Sequence, residues 1–173
     1  MTGPARRPVP DPVGPGAESF WDYPRPPRLE PVRERLRVVL GGAVIAETEA
    51  GFRVLETSHP PTYYLPPDAI VAGALANPRR GGICEWKGQA VYYDLVAGTG
   101  SDMVVIEDAA WSYPAPTPAF ESLRDHIAFY AAPLDRCMVD DLPVVPQDGG
   151  FYGGWITPDL AGPFKGGPGS RFW

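Results

Sequence analysis

The sequence is poor in the residues that build disulfide, metal and cofactor sites. Its 173 residues include two cysteines, Cys84 and Cys137, and two histidines, His59 and His126. These are too few and too far apart for a disulfide framework or a local zinc-binding pattern. The chain also lacks a phosphate-binding glycine loop, a dinucleotide-binding glycine motif and the common hydrolase motifs. We therefore predict two free thiols, no metal and no cofactor.

Lysine and long apolar runs are also scarce. Only Lys87 and Lys165 stand beside 13 arginines, and the net charge is −6. Residues 1–37 have a net charge of +2, so the rest of the chain carries −8. Because phosphate neutralisation needs clustered basic residues, this acidic body argues against nucleic acid as a partner. The chain has neither a membrane-length apolar run nor a signal-like N-terminus, which predicts a cytoplasmic protein without a membrane partner.

Proline and glycine, in contrast, are abundant and lie mostly towards the two ends. The chain has 23 prolines and 20 glycines, and residues 1–31 and 146–173 contain 12 of these residues each. This distribution predicts a disordered tail over residues 1–17 and a single domain over residues 18–145. Residues 146–173, which we call the C-terminal arm, are rich in aromatic residues. We expect the arm to pack on its own domain, with a homodimer formed through the arm as the alternative.

Short β-branched runs separated by turn residues predict a mainly β fold. A two-residue Gly41-Gly42 turn joins the first two predicted strands as a hairpin. Two short helices are expected, one from Pro67 to Ala76 and one beginning at Thr117 and Pro118. The pattern favours one compact β-rich domain, closed as a small barrel or a sandwich. The predicted strands are Leu36–Leu40, Ala43–Glu47, Phe52–Glu56, Thr62–Leu65, Gln89–Leu95, Met103–Glu107 and Arg136–Val139.

Three residues between the predicted strands are candidates for catalysis. His59 precedes two rigid prolines, which suits a fixed base or equally a hydrogen-bonded histidine at a strand end. Cys84 lies three residues before Lys87 on a glycine-flanked loop, and a thiolate beside a cation is nucleophilic. The alternative for Cys84 is a small buried apolar residue. Lys87 offers a compact ammonium in an arginine-rich chain, or is an ordinary surface lysine.

Aromatic residues near these three candidates predict the walls of a ligand pocket. Strand alternation sends Tyr92 and Tyr93 to opposite faces, so only one of them can line an interior pocket. The same alternation separates Glu107 from Asp108, so the pattern does not support a pair of catalytic carboxylates. The residues assigned to ligand binding are Tyr64, Trp86, Tyr93, Trp111 and Tyr113.

These motifs together resemble a bacterial family known as domain of unknown function 427. The resemblance spans about Glu18 to the C-terminus. It rests on Trp21-Asp22-Tyr23-Pro24, Ser58-His59-Pro60-Pro61, Trp86-Lys87-Gly88, Tyr92-Tyr93, Trp111-Ser112-Tyr113, Ala128-Phe129-Tyr130, Gly153-Gly154-Trp155 and Gly162-Pro163-Phe164-Lys165-Gly166. The sequence departs from the family pattern at Glu85, where a proline is common, and at Gln89, where a glutamate is common.

The resemblance implies a compact fold similar to the β-tent folds, which enclose a small-molecule pocket or a zinc site. The family also carries a nucleotidyltransferase label in some catalogues. Such enzymes need Mg²⁺ on clustered carboxylates, and the chain contains no Asp-x-Asp pair. The loop from Gly98 to Asp102 is the sole candidate for holding phosphate, and it also fits an ordinary turn between strands.

The leading interpretation is a pocket protein that binds a small anionic or carbonyl-bearing metabolite. If it is an enzyme, Cys84 and His59 would carry transfer or hydrolysis at a carbonyl. A non-catalytic ligand sensor or protein-interaction module is the second interpretation. The nucleotidyltransferase suggested by the family label is the third.

Overall fold

We describe the protein from a computed structural model, which covers residues 7–171 and residue 173. Within this range the strands are β1 Glu18–Ser19, β2 Arg28–Val32, β3 Leu36–Leu40, β4 Ala43–Thr48, β5 Gly51–Leu55, β6 Thr62–Tyr64, β7 Leu75–Cys84, β8 Gly88–Ala97, β9 Val104–Ser112, β10 Ala128–Phe129, β11 Arg136–Val139, β12 Leu142–Pro143, β13 Val145–Pro146, β14 Trp155–Ile156 and β15 Leu160–Ala161. Short 3-10 helices span Phe20–Asp22, Pro67–Ala69, Gly100–Asp102 and Pro118–Leu123. None of the helices in the described range is long and apolar enough to cross a membrane.

The strands form several small sheets, which confirms the predicted β-rich fold. Two four-stranded sheets have the orders β10-β9-β8-β7 and β12-β11-β3-β4, and a third sheet has the order β2-β5-β6. Two-stranded pairs join β1 to β15 and β13 to β14. The strands of residues 7–171 do not close into a barrel, so the barrel among the predicted alternatives is not observed.

The β3–β4 hairpin follows directly from its sequence. Gly41 and Gly42 have φ angles of 60° and 76°, which favour glycine, so a two-residue turn returns the chain as an antiparallel strand. Leu36, Val38 and Leu40 then face the main core, where they pack with residues of the other sheets. Alternation of apolar residues thus decides which face of this hairpin is buried.

The predicted helix over residues 67–76 is largely wrong. A 3-10 helix covers Pro67–Ala69, and the chain then enters the ten-residue strand β7. Asn77-Pro78, which directly follows the predicted helix, lies at a register shift of β7, as does Gly81-Gly82. Because β7 is an edge strand, a proline that donates no hydrogen bond is tolerated there.

The second predicted helix is also shorter and tighter than expected. The chain adopts 3-10 turns over Pro118–Leu123, with non-helical backbone angles at Phe120. Thr117 precedes this segment, but its hydroxyl donates to the carbonyl of Trp86 and does not cap the helix. Phe120 and Leu123 are buried in a second apolar cluster, so their predicted burial is observed in a different backbone conformation.

The C-terminal arm contacts the domain along much of its length. Trp155 is fully buried, its ring stacks on Tyr63 at 5.2 Å, and its Nε1 donates to the Phe129 carbonyl at 3.0 Å. The N-terminal segment also meets the arm, because the Asp11 amide donates to the Gly162 carbonyl at 2.8 Å. Residues 1–6 of the predicted disordered tail, and Phe172 of the arm, lie outside the described residues. A homodimer through the arm stays a prediction.

Candidate functional site

Three pockets on the surface of the described residues are considered as candidate sites. The first, of about 600 Å³, is a charged groove in which Arg53 is paired with Glu18 and Glu30. The second, of about 620 Å³, lies beside Arg79 and Asp108, which also pair with each other. The third has a volume of about 350 Å³ and contains most of the predicted site residues. We therefore take this third pocket, called the arm-covered cavity below, as the candidate site.

One wall of the arm-covered cavity comes from the sheet that contains β8 and β9. Tyr92 and Trp111 are register partners on these strands, so their rings project from the same face. Their ring centres lie 6.5 Å apart, and the Tyr130 ring lies 4.6 Å from that of Trp111. Tyr113 lines the same wall, and its burial raises the pKa of the phenol above its usual value. The wall is therefore mainly aromatic.

The C-terminal arm also lines the cavity, through Phe151, Tyr152 and Gly153. Glycine is required at Gly153, because a Cβ there would lie 2.1 Å from Cη2 of Trp111. The arm backbone therefore rests directly on the Trp111 ring. Gly166 has a φ of 123°, and a Cβ on it would lie 2.1 Å from the Asp148 carbonyl oxygen. This close approach holds residues 165–167 against the start of the arm.

The structure brings five of the eight predicted site residues to the cavity: His59, Cys84, Lys87, Trp111 and Tyr113. Tyr64 is fully buried behind the wall, 6.4 Å from the Tyr113 ring, and burial raises its pKa. Trp86 packs beside the same aromatic cluster but does not line the cavity. Tyr93 faces the main core and shares a hydrogen bond with Ser112. Tyr92 therefore takes the position that we predicted for Tyr93.

His59 is held by hydrogen bonds at both ring nitrogens. Its Nδ1 lies 2.9 Å from the Thr57 carbonyl oxygen, which can only accept, so Nδ1 carries the proton. Its Nε2 is then the acceptor, and the Lys165 ammonium donates to it at 3.1 Å. Burial, together with the positive charge of Lys165, lowers the pKa of the imidazole. His59 is therefore a neutral acceptor for a lysine that the sequence analysis did not assign to the site.

Lys165 is the most buried cation at this end of the protein, at 4% exposure. Its Nζ also donates to Ser58 Oγ at 3.1 Å and lies 4.8 Å from the centre of the Tyr152 ring. Burial lowers the pKa of the ammonium, and the nearby carboxylate of Glu56 offsets part of this shift. The scarcity of lysine in the sequence marks Lys87 as a candidate, and the same argument holds for Lys165. Only the fold shows that Lys165 reaches His59.

Lys87 and Cys84 lie at the β7–β8 turn, where the strands meet in a tight hairpin. The Lys87 ammonium lies 5.6 Å from the centre of the Tyr113 ring and has no ion pair with any described carboxylate. Cys84 is partly exposed and unbridged, and we find no hydrogen bond from it to His59 within the described chain. The predicted pair of thiol and imidazole thus lines one cavity without direct contact.

The described residues offer few side chains that could ligate a metal ion together. No group of three or more histidine, cysteine, aspartate or glutamate side chains in that part of the chain is placed to hold one. Glu56 lines the cavity, but its carboxylate pairs with Arg25 at 3.0 Å. The polar side chains with which this cavity can hold a ligand are therefore one amine, an imidazole, phenols, a thiol and the Thr62 hydroxyl.

Comparison with known proteins identifies the family of the chain. The model of a family described as domain of unknown function (DUF427) matches residues 28–140. No curated protein matches the chain. The matched range includes His59, Cys84 and Lys87, whereas Lys165 and the rest of the C-terminal arm lie beyond it. With about two thirds of its length matched, this chain belongs to the DUF427 family.

Proposed function

We propose that this protein binds a small anionic or carbonyl-bearing metabolite in the arm-covered cavity. Its volume of about 350 Å³ is within the range of small-molecule sites, and its walls combine aromatic rings with a few polar groups. The observation that carries the proposal is the pairing pattern of the two lysines. Neither Lys87 nor Lys165 forms an ion pair with a carboxylate of the described range, so an anionic ligand would give them a direct counter-charge.

Lys87 is the group that we propose for binding the anion. Its ammonium borders the cavity from the β7–β8 turn, beside the Tyr113 ring. The aromatic walls would enclose the rest of the ligand and exclude water, which strengthens the charge interaction. The unbridged state of Cys84 and Cys137 supports a working place in a reducing compartment, and we propose the bacterial cytoplasm.

Titration of the protein with glyoxylate and with glycolate, followed by tryptophan fluorescence and calorimetry, tests this proposal. The Lys87→Gln variant should lose about tenfold in affinity for both anions, because a charged hydrogen bond is removed. Arg33→Gln is the matched control, since it removes the same charge at an exposed position that borders a different pocket. Unchanged affinity in Lys87→Gln, or equal losses in the two variants, would contradict the assignment.

A non-catalytic sensor is favoured over acyl transfer through Cys84 by one observation. Both nitrogens of His59 are engaged by other groups, so the imidazole does not act on the Cys84 thiol in this arrangement. Cys84→Ser should therefore retain full affinity. The rate at which iodoacetamide alkylates Cys84, relative to its rate with glutathione, separates the two functions. A catalytic thiol would react faster than glutathione, and an inert thiol would not. Cys137 is a poor reference, because its burial raises the pKa of that thiol to about 12.

A further inference from the structure

Lys165 is unusual because its ammonium is buried. Lysine is almost never fully buried unless its charge is paired, because an isolated ammonium loses its hydration. Lys165 is 4% exposed, and its Nζ contacts a hydroxyl, an imidazole and a phenol ring. These are neutral groups. The ammonium is therefore buried without an ion pair to any described carboxylate.

The contacts of Lys165 are arranged for proton transfer. The Thr57 carbonyl fixes the tautomer of His59, so that the free lone pair on Nε2 points to the Lys165 Nζ at 3.1 Å. A general base must lie within hydrogen-bond reach of the proton that it removes, and this distance satisfies the requirement. Burial also lowers the pKa of Lys165, which favours the neutral, nucleophilic amine.

Lys165 lies directly behind the wall of the arm-covered cavity. Two of its three contacts, His59 and Tyr152, line that cavity. The Tyr152 side chain stands between glycines of the arm and has one hydrogen bond, from its hydroxyl to the Arg171 carbonyl at 3.1 Å. Access of a ligand to the amine therefore requires a change of the Tyr152 rotamer, which would break this exposed bond.

We propose that Lys165 is a nucleophile that forms an imine with the carbonyl carbon of the ligand, with His59 as its proton acceptor and donor. The inference rests on the proposed function, because Lys87 would hold the anionic group of the same molecule. The ligand class is therefore a small oxo acid or another anionic aldehyde or ketone. This role uses Lys165 and His59, and it leaves Cys84 without a chemical step.

The proposed step balances without any further reactant. His59 Nε2 takes one proton from the Lys165 ammonium, and the freed amine attacks the carbonyl carbon to give a carbinolamine. The imidazolium returns its proton to the carbinolamine hydroxyl, which leaves as water while the C=N bond forms. Ammonium and carbonyl thus become a protonated imine and one water molecule, and no electrons are gained or lost.

Reductive trapping of the full-length protein tests the proposal. Glyoxylate is the probe, sodium cyanoborohydride reduces any imine to a carboxymethyl amine, and peptide mass mapping locates the modification. The chain has only two lysines, so Lys87 and the N-terminal amine are internal references. We expect Lys165 to be modified at least about tenfold faster than Lys87, because it has a proton acceptor in contact. Modification of Lys87 or the N-terminus without Lys165 would overturn the inference.

Two variants, at residues that contact Lys165, distinguish a role in proton transfer from a role in packing. His59→Gln removes the proton acceptor, and we expect Lys165 labelling to fall about tenfold or more. Ser58→Ala removes the other polar contact of Nζ and should leave labelling within about twofold. Equal loss in both variants, at matched melting temperatures, would show that His59 only positions the lysine.

The same probes distinguish this inference from the proposed function. Glycolate has no reactive carbonyl, so it reports binding alone. Glycolate binding that depends on Lys87, without trapping at Lys165, would retain the pocket and reject the imine. Loss of both signals would reject both proposals.

Discussion

Two regions of the protein hold a cation that is at least partly buried, and its charge has different partners in the two regions. Arg53 lies in the β2-β5-β6 sheet, where it bonds to Glu18 at 2.6 Å and to Glu30 at 2.8 Å. Among the described residues, Lys165 of the C-terminal arm contacts the neutral groups of His59, Ser58 and the Tyr152 ring. Arg53 is partly buried and Lys165 is buried, but only Arg53 contacts carboxylates directly, whereas Glu56 acts on Lys165 without forming an ion pair.

This difference separates a structural ion pair from a candidate reactive site. Arg53 is planar and bidentate, and its carboxylate partners make it part of the scaffold. Tyr23 extends the same network by donating to Glu18 at 2.6 Å. An unpaired buried ammonium adds little stability, so an advantage other than stability would favour its retention. Four substitutions can break or sharpen this contrast, and their expected effects decrease from the first to the last.

The largest effect is expected from Arg53→Met. The substitution leaves Glu18 partly buried without a cation and leaves Glu30 with only the exposed Arg28, and we expect a loss of about 2 to 3 kcal/mol in the free energy of unfolding. Arg37→Met is the matched control, because its pair with Glu47 is solvent-exposed and should contribute less than about 1 kcal/mol. Urea denaturation measures both. Equal losses would show that burial does not distinguish these pairs.

The second effect concerns the fit of the arm that carries Lys165. In Gly153→Ala the added methyl group would collide with the Trp111 ring, so we expect a loss of about 2 kcal/mol and weaker glycolate binding. Gly14→Ala is the control, since a methyl group there would meet nothing within 4 Å, the φ of Gly14 is not positive and the residue does not line the arm-covered cavity. Denaturation and fluorescence titration report the two effects. A neutral Gly153→Ala would mean that the arm does not rest on Trp111.

A third prediction concerns how stability depends on pH at a second arginine network, that of Arg79. Hydrogen bonds from Arg79, then from Asn77 and the Asp108 amide, hold the pKa of Asp94 well below its usual 3.8. A carboxylate with a lowered pKa in the folded state stabilises the protein above its unfolded-state pKa, and this contribution is lost as the pH falls through the folded-state value. Asp94→Asn should therefore be less stable at neutral pH and less sensitive to acid below about pH 4.

Denaturation midpoints at about pH 7 and about pH 3 check this prediction. The expected change at neutral pH is smaller than for Arg53→Met, because Asp108 still pairs with Arg79. Parallel pH profiles for wild type and Asp94→Asn would contradict the role assigned to this carboxylate.

The smallest stability effect is expected from Lys165→Met. Methionine occupies a similar volume without a charge, so we expect a change within about 1 kcal/mol, with stabilisation as the favoured direction. The same variant should lose all cyanoborohydride trapping of glyoxylate on the arm. A loss in the free energy of unfolding as large as that of Arg53→Met would show that Lys165 is chiefly structural. The contrast between Lys165 and Arg53 would then disappear.

Much of the β scaffold was predictable because its signals are local. The Leu36–Leu40 and Arg136–Val139 strands have the predicted bounds, since alternation and turn glycines act within a few residues. Strand β7 was missed because Asn77-Pro78 and Gly81-Gly82 are unfavourable in an ordinary strand. They are tolerated at register shifts on a sheet edge, and a sheet edge is a property of the whole fold.

The site was predictable in part for a related reason. His59, Cys84 and Lys87 stood out by residue type and flanking prolines or glycines, and the fold gathers them at one cavity. Strand alternation correctly separated Tyr92 from Tyr93, but it could not show which face looks outward to the cavity. That choice depends on which sheets cover each face.

By itself, the sequence determined the family, the mainly β character and the scarcity of lysine that marks both candidate amines. Only the tertiary structure decided that Lys165, 106 positions from His59 along the chain, donates to its Nε2. The close approach of Gly166 to Asp148 and the contact of Gly153 with Trp111 make that meeting possible. Composition and local pattern are encoded residue by residue, whereas the chemistry of a lysine depends on neighbours that only folding brings into contact.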